Sequence, residues 1–161
     1  MNIRKVIIPL IILIGLVILA TIAMTTDLGQ SGGADMQRGV SIESIEFNIP
    51  DGYEKNNSKT VVNQTKSNGS TSLIYTEEVY ENSAGDEIRI NIADYDYFDV
   101  NADNLYKICE GRDRKTLLGY PGYLSGNESF TCFTYAFNNK AVSITAPDED
   151  LIKQVLVVED S

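Results

Sequence analysis

The chain has 161 residues, with 13 Lys and Arg against 23 Asp and Glu, two cysteines and no histidine. Its formal charge of −10 repels phosphate backbones and anionic headgroups, which argues against a nucleic-acid partner. Without an imidazole, neither a Ser-His-Asp or Cys-His catalytic arrangement nor a His-ligated zinc site can be built.

The first element in chain order is the run Val6–Met24, nineteen residues without a charge. As a helix it would span roughly 28 Å, close to the ~30 Å hydrocarbon core of a bilayer. Arg4 and Lys5 precede the run, and no Lys or Arg follows until Arg38. The positive-inside rule therefore predicts residues 1–5 in the cytoplasm, a single-pass transmembrane helix over 6–24, and a cell-membrane protein whose remaining chain lies outside. A signal peptide cleaved after Ala23 is the alternative, and it exports the same residues. Beyond the run, eleven basic and 23 acidic residues leave a net charge of −12.

Residues 25–40 are polar and contain glycines without an apolar period, the composition of a flexible linker, and residues 41–161 form one extracytoplasmic domain. In that domain Ile45, Phe47 and Ile49 alternate with polar residues as in a half-buried strand that Pro50-Asp51-Gly52 ends. Residues 54–71 are polar and read as a long loop or poorly ordered edge. From Ser72 to Tyr95 two alternating runs flank Asn82–Asp86, a β-hairpin with Ile88, Ile90 and Ile92 on one face. Asn101 is placed to cap a short helix ending before Gly111, with Leu105, Ile108 and Cys109 turned inward. The segments KTLLGYPGYLSG, ESFTCFTYAF and KAVSITAP read as three strands, with Tyr120-Pro121-Gly122-Tyr123 suited to a type II turn and Asn138-Asn139 to a tight turn. A last helix starts at Asp148, with Leu151, Ile152, Val155 and Leu156 as its buried stripe. The predicted architecture is α+β: an N-terminal transmembrane helix, then a mostly antiparallel sheet of about six strands with two packed helices, in βββα-βββα order.

FNIPDGY, GYPGYL and FTYAFNNKAVSITAPDEDLIKQVL together resemble small membrane-anchored exported proteins of methanogenic archaea, and the element order resembles the Mog1/PsbP-like fold. The resemblance implies a fold and an extracytoplasmic address. Its motifs are structural and carry no catalytic residue across.

Candidate sites are few. Asp99, Asn101, Asp103 and Glu110 fit positions 1, 3, 5 and 12 of a calcium loop, but Asn104 stands at the turn glycine and Lys107 at position 9. The competing reading is an acidic helix N-terminus capped by Asn101. Cys109 and Cys132 are candidates for a disulfide in an exported domain, or else two buried thiols. Sequons begin at Asn56, Asn63, Asn68 and Asn127, positions for glycosylation or simply polar loop residues. Nine tyrosines and the Tyr120–Tyr123 segment invite a carbohydrate platform, although Tyr is ordinary in strands. Glu77 and Glu78 are adjacent on a strand and so point to opposite faces, the wrong geometry for a carboxylate pair. These observations predict a non-enzymatic, membrane-tethered binding or interaction module without a cofactor, its partner an envelope protein or glycan. The alternatives are a structural envelope-associated surface protein without a ligand pocket and a weak calcium-binding domain.

Overall fold

The computed structural model describes residues 38–68 and 71–158. The run Val6–Met24 lies outside the described residues, and among those described no helix is long and apolar enough to cross a membrane. The described chain is mostly β, and this corrects the expected α+β architecture of six strands with a membrane helix and two packed helices. It contains ten strands, one 3-10 turn and one α-helix.

In chain order the strands are β1 (Arg38–Ile42), β2 (Ile45–Ile49), β3 (Glu54–Lys55), β4 (Val61–Asn68), β5 (Thr71–Glu81), β6 (Glu87–Tyr95), β7 (Asp113–Leu117), β8 (Tyr120–Gly126), β9 (Thr131–Phe137) and β10 (Lys140–Ala146). The helix α1 (Glu149–Val155) follows. An antiparallel sheet runs β5-β6-β10-β9-β8-β7, and β3 and β4 share the outer edge of β5. β1 and β2 form a separate hairpin.

Alternation divides the large sheet into two faces. On the front, Ile90 stands opposite Ile144 and Ile92 opposite Val142, which in turn faces Tyr135. Ile42, Ile45, Phe47 and Ile49 of the hairpin cover these rows together with Ile152 and Val155 of α1, and all of them are almost fully buried. Phe47 also pairs with Leu156 across an isolated bridge, and Tyr120 donates its hydroxyl to the Val157 carbonyl at 2.8 Å, so the hairpin and the chain after α1 are tied to one layer. Asp148 caps α1 by accepting from the Leu151 N–H at 2.8 Å, as its position predicts. The back face is capped over part of its width by residues 96–112, whose Val100, Leu105 and Cys109 form a smaller cluster with Ala93 and Ala141.

Four local expectations change. β1 begins at Arg38, inside the stretch read as linker. Residues 61–68 form a strand rather than a loop, because the edge of β5 supplies backbone partners that a polar sequence can use as well as an apolar one. The expected helix after Asn101 shortens to a 3-10 turn at Leu105–Lys107; the Asn101 side chain accepts from the N–H groups of Asp103 and Asn104 and holds a tight turn in place of a helical start. Pro121 and Gly122 lie within β8 instead of a type II turn, and the chain reverses at Leu118-Gly119, where both φ values are positive.

Gly122 is needed for close approach. A Cβ there would come 2.4 Å from the Thr134 carbonyl oxygen and 2.7 Å from the buried Phe133 ring. Gly122→Ala should therefore cost roughly 1–3 kcal/mol, the usual range for overpacking, read as a lower urea midpoint with an unchanged slope. A midpoint equal to wild type would show that β8 and β9 can separate to admit a methyl group.

Candidate functional site

A strained turn and a strained strand bulge meet on the front face. Glu43 and Ser44 join β1 to β2 with φ of 51° and 64°, a two-residue hairpin turn that usually takes Asn or Gly. Asn63 has φ of 50° at an irregularity in β4, where the register with β5 shifts between Val61 and Gln64. Left-handed backbone at non-glycine residues costs on the order of 1 kcal/mol each, and such residues collect where a site imposes them.

Both segments aim groups at Thr76, a buried polar residue on the front side of β5. The Asn63 N–H donates to the Thr76 hydroxyl at 3.2 Å, having no ladder carbonyl at the bulge. The Thr76 hydroxyl in turn donates a hydrogen bond to the Glu43 carboxylate at 2.9 Å. Lys140, first residue of β10, donates to the other Glu43 oxygen at 3.2 Å and lies 4.0 Å from the Asp94 carboxylate. Its preceding turn, Asn138-Asn139, also has positive φ at both positions. The Thr76 hydrogen bond, and after it the Lys140 ammonium, hold the Glu43 carboxyl below the usual carboxylate range against a smaller opposing effect of burial.

These groups line a pocket of about 160 Å³ with Ile74 and Ile92. Ile74 is half exposed and forms an apolar shelf beside it. Asp94 is the most open of the charged groups, with 56% of its side chain exposed. The site thus offers acceptors on Glu43 and Asp94, donors on Lys140, and an amide on the exposed Asn63. Wider depressions lie elsewhere, beside Gly52 and Asn56, beside Arg89 and Phe130, and between Arg38, Pro50 and Tyr53; none of them gathers residues of positive φ from three separate segments as this pocket does with Glu43, Asn63 and the Asn138-Asn139 turn before Lys140.

The residues singled out by sequence fall elsewhere, apart from Asn63. Asp99, Asn101, Asp103 and Glu110 are exposed on the back-face cap; Asn101 spends its side chain on the turn, and among the described residues no three acidic or cysteine side chains converge as metal ligands. Cys109 and Cys132 are unbonded thiols. Asn56 has its amide committed to Glu81 and Ser58, whereas the Asn127 oxygen accepts from the N–H groups of Ser129 and Phe130 in an exposed turn. Asn68 ends β4. Glu77 and Glu78 do diverge, to Arg89 on the back and Lys55 on the front. Tyr120 and Tyr123 alternate across β8 and form no common platform. Glu43, Thr76 and Lys140 carried no sequence signal, since a motif needs neighbours in the chain and Glu43 lies 33 residues from Thr76 and 97 from Lys140; Asp94 stands out in sequence only as part of the acidic stretch before Asp99.

A depressed Glu43 pKa sets a sign. Its contribution to stability is complete above the unfolded value of about 4.3 and is lost as pH falls through the lower folded value. The stability gap between wild type and Glu43→Gln should be constant above about pH 5 and close below about pH 4, with a size of less than about 1 kcal/mol for a partly exposed pair. Denaturant titrations at several pH values check this, and a gap that widens in acid would contradict the ionised carboxylate.

No family model matches the chain, and neither a curated protein nor a solved structure matches it.

Proposed function

We propose that the domain is an extracytoplasmic binding module, delivered outside by the run Val6–Met24, whose pocket between Glu43, Asn63, Asp94 and Lys140 takes one hydroxyl-rich ring at the end of an envelope glycan. The observation that carries this reading is the convergence of a strained hairpin turn at Glu43-Ser44 and a strained strand bulge at Asn63 on a single polar pocket. A Glu in a left-handed turn is a poor choice for the hairpin itself, and its reward is a carboxylate aimed at the pocket.

The ligand class follows from the groups on offer. Donors and acceptors alternate around the pocket, and a hydroxyl group is both at once. A phosphate would face two carboxylates, and a metal ion would face the Lys140 ammonium. A volume of about 160 Å³ is below the roughly 300–1,000 Å³ of pockets that enclose a whole ligand, which suits one ring entering end-on. The exposed Ile74 gives the C–H face of such a ring an apolar contact.

A second reading, a surface protein of the envelope that acts without a ligand, is favoured by the filled layer between sheet and α1. Titration of the full chain with a panel of neutral methyl glycosides, followed by NMR at the Thr76, Asp94 and Lys140 amides, separates the two. The expected result is saturable shifts at these amides with Kd in the millimolar range for at least one glycoside, and a loss of at least tenfold in Lys140→Met. Linear, non-saturating shifts for every glycoside would support the ligand-free surface protein.

A further inference from the structure

The back face carries a second chemistry, independent of the pocket. Cys132, Thr134 and Ala136 alternate onto this side of β9, and Cys109 reaches it from the cap, 1% exposed among Ala93, Ala141 and Ala136. The Cys132 sulfur lies 3.9 Å from the Thr134 hydroxyl, and Arg112, whose backbone N–H donates to the Cys109 carbonyl at 3.1 Å, reaches that hydroxyl from the cap. The same hydroxyl accepts from Arg112 at 2.9 Å and pairs with Ser143 at 2.9 Å. The two thiols thus belong to separate segments that the Arg112–Thr134 hydrogen bond joins. Burial raises the Cys109 pKa and Cys132 adds to the rise, with Arg112 opposing both.

The cap holds little regular structure, a single 3-10 turn at Leu105–Lys107. Its hydrogen bonds are local, mostly from an N–H to the carbonyl three residues back; Asp96–Ser72 and Arg112–Thr134 tie its two ends to the sheet, and its middle is linked to the β9–β10 turn by one bond from the Val100 N–H to the Asn139 carbonyl at 2.9 Å. Tyr97 and Tyr106 on it are more than half exposed.

We infer that Cys109 and Cys132 are a modification site: an intramolecular disulfide that clips the 96–112 cap to β9. The thiols are the reduced form of the site, and the oxidant is an exported protein or small molecule that itself carries a disulfide. Cys132, the more accessible thiol, loses its proton to solvent and attacks one sulfur of that disulfide, which breaks its S–S bond and releases one thiolate. Cys109 then loses its proton and displaces the second thiolate from Cys132. Two electrons pass from the pair to the oxidant, which leaves as two thiols.

The test uses the full chain equilibrated with glutathione disulfide, then denatured and treated with a maleimide, with and without prior reduction. The expected result is a monomer that takes up no maleimide unless first reduced and two afterwards. Amide hydrogen exchange across Leu105–Cys109 should slow at least tenfold on oxidation, and Cys132→Ser should keep the fast exchange under both conditions. Two reactive thiols in the unreduced sample, a disulfide-linked dimer, or glutathione adducts on either cysteine would overturn the clip. Oxidation that leaves exchange in the cap unchanged would overturn its fastening role.

Discussion

Ile88, Ile90, Ile92, Phe133, Val142 and Ile144 stand in neighbouring rows on one side of an antiparallel sheet, and covering them is the constraint that the rest of the domain serves. Each is worth about 1.5–3 kcal/mol when moved from water into a packed interior. One short helix is too small to cover so wide a surface, so the β1–β2 hairpin lies beside it and contributes four buried side chains of its own. The Phe47–Leu156 bridge is where the two covers meet. Placing the hairpin there also sets down its turn, Glu43-Ser44, at the end of the sheet where Thr76 and Lys140 emerge. The candidate pocket is in this sense a by-product of the core's geometry, retained with a residue that the turn itself does not favour.

Alternation made the front face legible in sequence. Ile45, Phe47 and Ile49, and then Ile88, Ile90 and Ile92, are regular enough that no other element accommodates them, and the structure buries all six. The same logic cannot see β4. VVNQTKSN has no apolar period because this edge strand is held by backbone pairing and by polar contacts of Gln64 and Lys66 with Tyr75, not by an apolar face. At the β7–β8 reversal the local code pointed to the wrong residues: Pro121-Gly122 has the composition of a turn, yet Gly122 is there to admit Phe133, and the turn falls on Leu118, whose positive φ no propensity would suggest. Between Asn101 and Cys109 the pattern suited a helix. Asparagine side chains that bond the backbone, and an inward face of only a few residues, reduce it to one tight turn.

The site was less legible than the fold for a reason of distance. The calcium-like spacing at Asp99–Glu110 is a local pattern and was visible, but folding spends Asn101 on its own backbone. Glu43, Thr76, Asp94 and Lys140 come from a turn and three strands far apart in the chain, each an ordinary polar residue in its own context. Asn63 was noticed only as a sequon; that its N–H meets Thr76 depends on a register shift that no residue in β4 announces.

On the proposed function, Glu43 is held in a left-handed turn for what its carboxylate recognises, at some expense to the hairpin. Glu43→Asn separates the two roles, because asparagine tolerates the left-handed backbone and lacks the charge. Urea unfolding and glycoside titration of this variant should give a stability within about 0.5 kcal/mol of wild type or higher, with binding at the pocket lost. A stability loss above about 1 kcal/mol with binding retained would assign Glu43 to the hairpin and remove the pocket's claim to function.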